Sequence, residues 1–286
     1  MLTFLFWNVG GKALSPVIAK LADLHGVDIL VLAESDEKPS DLLQELNRNN
    51  PTADRTGFRG PDLRSQSSRV IIYPRFPTRF LLLRSESDKY SCRLLRLPGR
   101  PEILLVAAHF ASKRYRSDDS QSLAVPGFST LVRLVEKQAG HSRTILVGDL
   151  NMNPYELGIV GAEGLNAVIT REVASRQSRR IDGVDHPFFY NPMWSQFGDS
   201  THHLHPPGSP EHEPPGTCYY PSAESRWYFW NMFDQVLLRP ELLQYFTSEN
   251  LKILVTDGTT SFLDRRGLPD RKVVSDHLPV LCRLDV

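Results

Sequence analysis

The 286-residue sequence predicts one α/β domain with a mainly antiparallel β core and a functional site along one sheet edge. Three observations predict this. Apolar runs of strand length far outnumber amphipathic helical stretches. Polar residues stand repeatedly where those runs end. No internal repeat of about 20–50 residues and no linker divides the chain, so residues 1–286 read as a single domain. At 41% hydrophobic and 23% charged residues, the composition excludes a disordered, collagenous or disulfide-scaffold chain.

The elements follow in order. Residues 2–8 (LTFLFWN) form a buried strand ending in the polar Asn8. Ser15 and Pro16 read as the N-cap and first position of a helix. Val17, Ile18, Leu21 and Leu24 share one face of it, and Gly26 stops it. Residues 27–33 make an apolar strand that runs into Glu34, and a short helix covers 40–47. Residues 48–68 are polar, Arg-rich loop. Strands are expected at 69–73, 78–84, 90–97 and 103–109, with Pro98-Gly99 turning between the last two. A helix over 128–139 leads into a strand at 144–147 and then Gly148-Asp149-Leu150-Asn151. Residues 198–216 crowd Gly, Pro and His without periodicity and read as loop. Short strands return at 217–220, 233–238, 251–255 and 278–284.

Three cysteines (Cys92, Cys218, Cys282) without a CxxC pair fit neither a disulfide framework nor a zinc site. The apolar residues 2–9 lack the basic start and cleavage site of a signal peptide, and no stretch reaches the roughly 20 apolar residues of a membrane span. A cytoplasmic protein without a membrane anchor is the expectation.

Lys plus Arg and Asp plus Glu both count 33, so the formal net charge is zero. Taken alone, zero argues against gripping nucleic acid by bulk charge. The zero is uneven, however. The basic residues are 25 Arg and 8 Lys, and 48–116 holds 13 Arg and 2 Lys against 5 acids, a local +10. A fork-shaped guanidinium suits phosphate oxygens, although codon bias alone also enriches Arg.

The strand ends present Asn8, Glu34, His109, Asp149 with Asn151, Asp234, and Asp276 with His277. Any one of these is ordinarily a cap or turn residue. Together, the carboxylates suit a hard cation such as Mg²⁺ or Mn²⁺, and the two histidines can donate to, or relay protons around, an anionic centre.

These motifs resemble the endonuclease/exonuclease/phosphatase superfamily, metal-dependent hydrolases built like pancreatic deoxyribonuclease. Matching segments are Phe6-Trp7-Asn8-Val9, Leu32-Ala33-Glu34, Ala108-His109, Gly148-Asp149-Leu150-Asn151, Phe233-Asp234-Gln235 and Ser275-Asp276-His277-Leu278-Pro279, in family order over nearly the whole chain. The resemblance implies a four-layer αββα sandwich, two mainly antiparallel sheets flanked by helices. It implies a metal held by Glu34, with Asn8 beside it and Asp276 on the metal or its water shell. Asp149 is implied to position or deprotonate the attacking water, and Asn151 to orient phosphoryl oxygens. His277, held by Asp234, is implied to donate to a non-bridging oxygen, and His109 to stand near the leaving oxygen. The expected acidic partner of His109 is missing from 67–73.

A nuclease cutting DNA or RNA is the favoured activity. A phosphatase or phosphodiesterase on a small phosphorylated molecule or lipid headgroup is the alternative, and a catalytically dead scaffold a third. Lys113, Arg114 and Arg116, just after His109, read as phosphate contacts or as solvated loop charge. Arg171, Arg176, Arg179 and Arg180 carry the same two readings. Tyr220, Trp227 and Trp230 belong to an aromatic cluster before Asp234 that is core or stacks on a base. His202, His203, His205 and His212 lie in the Pro-rich loop, where a mobile segment is favoured over a transition-metal site.

Overall fold

A computed structural model of the chain describes residues 1–48, 57–60, 69–112, 118–198, 213–221 and 228–286. The elements run β1 (Leu2–Asn8), α1 (Ser15–His25), β2 (Ile29–Ala33), α2 (Pro39–Leu46), β3 (Val70–Pro74), β4 (Leu81–Glu86), β5 (Tyr90–Leu95), β6 (Ile103–His109), α3 (Asp118–Ala139), β7 (Thr144–Asp149), α4 (Leu157–Val160), β8 (Ala167–Val168), α5 (Arg171–Ala174), β9 (Ser178–Ile181), β10 (Val184–Pro187), β11 (Phe189–Tyr190), β12 (Cys218–Tyr219), β13 (Trp230–Asn231), β14 (Asp234–Leu238), β15 (Leu251–Ile253) and β16 (Val280–Leu284).

Two sheets stack face to face. One has the order β15-β16-β1-β2-β3, the other β4-β5-β6-β7-β14-β11-β8. Antiparallel pairing dominates; the parallel exceptions among the described strands are β1 with β2, β6 with β7, and β8 with β11. Helices complete the outer layers. Ile18, Leu21 and Ala22 of α1 join the core of the first sheet, and Val125, Phe128, Val132 and Val135 of α3 cover the outer face of the second.

Period-two alternation decides which side chains reach the space between the sheets. Along β6, Leu104, Val106 and Ala108 face α3, whereas Ile103, Leu105 and Ala107 join the inter-sheet core. His109 is the next inward position. Along β7 the inward set is Ile145 and Val147, which aims Asp149 inward; along β14 it is Val236 and Leu238, which aims Asp234 inward. Register then aligns them, since His109 pairs with Asp149 and Asp149 with Asp234. Three chemically active residues therefore stand side by side on adjacent strands.

Several expectations change. Leu14, not Ser15, occupies the N-cap of α1; the Ser15 hydroxyl is turned to Glu37 instead. Residues 78–80 form a 3₁₀ turn, and the strand begins at Leu81. Helix α3 starts ten residues before the expected Phe128 and runs through Pro126. Proline removes one helical hydrogen bond, but the flanking Val125 and Phe128 are buried, with Phe128 against Tyr90 and Phe110. The hairpin β9–β10 had no counterpart in the expected elements. Its turn, Asp182 and Gly183, has φ of 47° and 82°, the paired positive values that Asp-Gly favours.

Gly148 is required by the close approach of β6 and β7. A Cβ there would lie 1.9 Å from the Ala108 carbonyl oxygen. Gly148→Ala is expected to cost at least about 3 kcal/mol, because backbone must move to relieve the overlap; chemical denaturation of the two proteins measures it.

Candidate active site

The site forms where the β1 and β2 ends of one sheet face the β6, β7 and β14 ends of the other. Asp149, 1% exposed, is its hub. Its Oδ2 accepts from Asn8 Nδ2 at 2.9 Å, a bond that spans the two sheets, and its Oδ1 accepts from the Asn151 backbone N–H at 2.9 Å. His109 Nε2 lies 3.7 Å from Asp149 and 3.3 Å from Glu34 Oε1. Asn8 is itself held by the Gly10 N–H, which donates to its Oδ1 at 3.0 Å.

Glu34 and Asn151 both have left-handed backbones, with φ of 50° and 49°. Asparagine tolerates this region better than glutamate does, and each departure costs on the order of 1 kcal/mol. At Glu34 the kink is held by the Gly11 N–H, which donates to the Glu34 carbonyl at 2.8 Å. At Asn151 it is held by the side-chain amide, which donates to the Phe110 carbonyl at 3.0 Å.

On the far side, Asp234 is wholly buried and accepts from His277 Nδ1 at 2.8 and 3.1 Å. Burial opposes a charged imidazole, but the Asp234 carboxylate, together with the Cys218 sulfur, more than offsets it and lifts His277 well above the ordinary histidine range. Burial likewise disfavours the ionised Asp234, while the facing imidazolium favours it. The His277 backbone is fixed too. Its carbonyl accepts from Trp7 Nε1 at 2.9 Å, and its N–H donates to Ser275 Oγ, which donates in turn to the Asn8 carbonyl at 2.7 Å.

Glu34 is pulled down to about 2, first by its hydrogen bond with His109, against the opposing effect of burial, with further help from the His109 charge, Asn8 and His277. For His109, burial works against protonation, and the contacts with Glu34 and Asp149 more than offset it. The acid absent from β3 is thus replaced by Glu34 on β2. Among the described residues His109 Nδ1 is buried without a partner.

Two groups of residues could hold a cation. Asp149, Asp234 and His277 each bring a ligand atom within 4.8 Å of one another, but His277 Nδ1 is engaged by Asp234, and a site there would be almost dry. Glu34 keeps 47% of its side chain exposed, hydrogen-bonds with Asn8, and shares His109 Nε2 with Asp149. Half-exposed carboxylate oxygen is what a hydrated hard cation requires, so the residues fit one on the Glu34 side. Asp276 is half-buried, with its Oδ1 beside Gly10.

The surrounding expectations divide. Lys113, Arg114, Arg116, Trp227 and the His202–His212 stretch lie outside the described residues. Trp230 is half-buried, set edge-on to Tyr219 at 5.4 Å, and Tyr220 is half-buried with its N–H donating to Phe229. The ring surface open to solvent belongs to Tyr228 and Phe229, 62% and 50% exposed. The basic run at 171–180 divides, with Arg171 and Arg179 bracing the fold and Arg176 and Arg180 exposed to solvent. Arg171 donates to the Leu243 and Phe246 carbonyls, Arg176 pairs with Glu172, and Arg179 donates to Asn166 and Val160.

Sequence reasoning missed the supports. Thr217 Oγ1 accepts from the Asp234 N–H at 3.2 Å, and buried Asn153 bridges Asn231 Oδ1 and the Met232 N–H. Trp7 and Ser275 lay inside quoted motifs; Thr217 and Asn153 carried no local signal.

The profile of the Endonuclease/Exonuclease/phosphatase family matches residues 5–277. The chain belongs to this family. It is accordingly a metal-dependent phosphoesterase. None of the proteins with curated descriptions matches it in sequence. Among solved structures it is similar to an endonuclease/exonuclease/phosphatase family protein from Leptotrichia buccalis, with 12% identity, all of both chains covered and a TM-score of 0.54. D. rerio TDP2 complexed with single strand DNA product shares 14% identity over 100% of this chain and 99% of that one, with a TM-score of 0.53. The human Nocturnin catalytic domain with bound sulfate anion shares 14% identity over 98% and 93%, with a TM-score of 0.51. At such identities the likeness is one of fold. Among the described residues no helix is long and apolar enough to cross a membrane.

The depressed Glu34 carboxyl has a stability consequence. A group whose folded value lies below its unfolded value contributes above the unfolded value and loses that contribution as pH falls through the folded one. The stability difference between wild type and Glu34→Gln should therefore be greatest between about pH 4.5 and 6.5, shrink towards about 2, and shrink again at higher pH as the raised His109 loses its proton. Denaturant melts across that range measure it.

Proposed function

We propose that the protein is a Mg²⁺- or Mn²⁺-dependent nuclease that hydrolyses phosphodiester bonds by in-line attack of water, with residues 1–286 acting as one catalytic domain. The observation that carries this reading is the row of His109, Asp149 and Asp234 on adjacent strands, closed by His277 against Asp234.

Glu34 is the principal metal ligand, with Asn8 beside it and Asp276 on the ion or its water shell. When bound, the ion offsets the charge that builds on the phosphoryl oxygens. Asp149 accepts the proton of the attacking water, which the Asn8 and Asn151 bonds equip it to do by fixing its carboxylate plane. Asn151 orients the phosphoryl oxygens. His277, kept protonated and immobile by Asp234, donates to a non-bridging oxygen, where charge develops in the transition state. His109 stands near the leaving oxygen. No covalent intermediate with the enzyme is required.

Nucleic acid is the favoured substrate for two reasons. The exposed rings of Tyr228 and Phe229 stand next to the β12–β13 ladder, whose Cys218 bridges to His277. The D. rerio TDP2 relative was solved with a single strand DNA product. Trp230 and Tyr220 extend the same aromatic surface in this reading, and, from the sequence alone, Trp227 stacks on substrate and Lys113, Arg114 and Arg116 contact phosphates. A cytoplasmic setting is proposed from three cysteines with no disulfide among them.

Purified protein with Mg²⁺ or Mn²⁺ should cleave single-stranded or duplex oligonucleotides. EDTA should abolish cleavage and added metal restore it. Asp149→Ala should lower the rate about 10²–10⁴-fold while circular dichroism stays native and melting falls by no more than the loss of its two hydrogen bonds explains. Turnover confined to nucleotides, sugar phosphates or inositol phosphates would instead assign a small phosphoester; equal rates for wild type and Asp149→Ala would sink the enzymatic roles.

A further inference from the structure

Most of the described arginines in the tract at 48–116 are engaged within the protein. Arg48, Arg93 and Arg96 pair with Glu45, Glu86 and Glu102, Arg100 donates to the Met1 carbonyl, and Arg75 and Arg79 lie over the rings of Phe58 and Phe80. Arg69 differs. It is half-buried, yet among the described residues it makes no hydrogen bond, ion pair or ring contact.

Its position is set by register. Ala33 of β2 pairs with Val70 of β3, so one residue further along each strand stand Glu34 and Arg69. Asn8 pairs with Ala33, so Glu34 and Arg69 stand one residue beyond the end of β1, with Arg69 on the edge strand. Arg69 is also close enough for its charge to act on His109. A partly desolvated guanidinium within electrostatic reach of a histidine, with no carboxylate of its own, is an unbalanced charge, and its planar fork matches two phosphate oxygens.

We propose that Arg69 binds a second, non-scissile phosphate of the substrate, on the β3 side of Glu34. The proposal rests on the phosphoesterase reading and adds that the substrate carries at least two phosphoryl groups. The neighbouring phosphate of a nucleic acid strand and the second phosphoryl of a small compound share this chemistry. Arg69 lay in the Arg-rich tract of the sequence without any motif to mark it.

The test compares wild type, Arg69→Ala and Arg69→Lys. Binding of a short fluorescent single-stranded oligonucleotide is measured in EDTA, where catalysis plays no part. Arg69→Ala should bind about ten-fold or more weakly, and its slope of log affinity against log salt should be shallower by about 0.7. Arg69→Lys should recover the slope but only part of the affinity. In turnover with metal, the alanine variant should lose severalfold more on the oligonucleotide than on bis(4-nitrophenyl) phosphate, which has one phosphate, with the loss in KM rather than kcat. Its melting temperature should match wild type, because the guanidinium has no protein partner to lose.

If wild type binds no oligonucleotide, the nucleic-acid reading fails separately, and a nucleoside diphosphate becomes the probe. Weaker binding of that probe by Arg69→Ala still supports the assignment. Equal affinities of wild type and Arg69→Ala for both probes, binding of neither by wild type, or equal losses on the one-phosphate and many-phosphate substrates would overturn it.

Discussion

The hydrogen bond from Asn8 to Asp149 is the interaction on which the site depends. It is made across the gap between two sheets, by the last residues of β1 and β7, and it joins the two halves of the chemistry. On one side it sets Asn8 next to Glu34; on the other it fixes the carboxylate that His109 approaches and that neighbours Asp234 and His277. A hydrogen bond to a charged group contributes about 1.5–3 kcal/mol, modest against a whole fold. Its larger effect is geometric, because a carboxylate with both oxygens engaged cannot rotate out of the plane its two donors set.

The electrostatic design is one of divided labour. Asp234 surrenders its accessibility to hold His277, Asp149 is immobilised, and Glu34 alone keeps a large open face. Carboxylates crowded at one sheet edge repel one another, and the two histidines relieve that repulsion from opposite flanks. The formal neutrality of the chain therefore conceals an acidic pocket with cationic walls. Most described arginines of the tract at 48–116 are engaged by protein groups, whereas Arg69, next to Glu34 in register, is not.

Much of this was legible in the sequence, and the reason is specific. Buried strands announce themselves as short apolar runs, and a polar residue closing such a run, as in LTFLFWN or TILVGD, must sit at an edge. Order along the chain then named each element of the site. Side-chain supports were illegible because they rest on contacts between distant segments: Trp7 reaches residue 277, and Thr217 caps residue 234. Whether an arginine faces solvent or a carbonyl is equally tertiary, which is why nothing local told Arg171 and Arg179, which brace the fold, from Arg176 and Arg180, which are exposed. The β9–β10 hairpin is a different case, since Asp182-Gly183 between Ile181 and Val184 is a local signal that composition-minded reading passed over.

The alternation that turns His109, Asp149 and Asp234 inward also governs how this chain can change. Within β7, inserting one residue upstream of Asp149 would rotate its carboxylate to the α3 side and bring Gly148 into its place, and deleting one would bring Leu150 there. Two residues at a time would preserve the facing. Sequence drift in the three central strands is thereby restricted to even steps, while the connecting loops are free of any such parity. A relative with an odd-length change in β6, β7 or β14 would have had to absorb it in a bulge, or give up the chemistry.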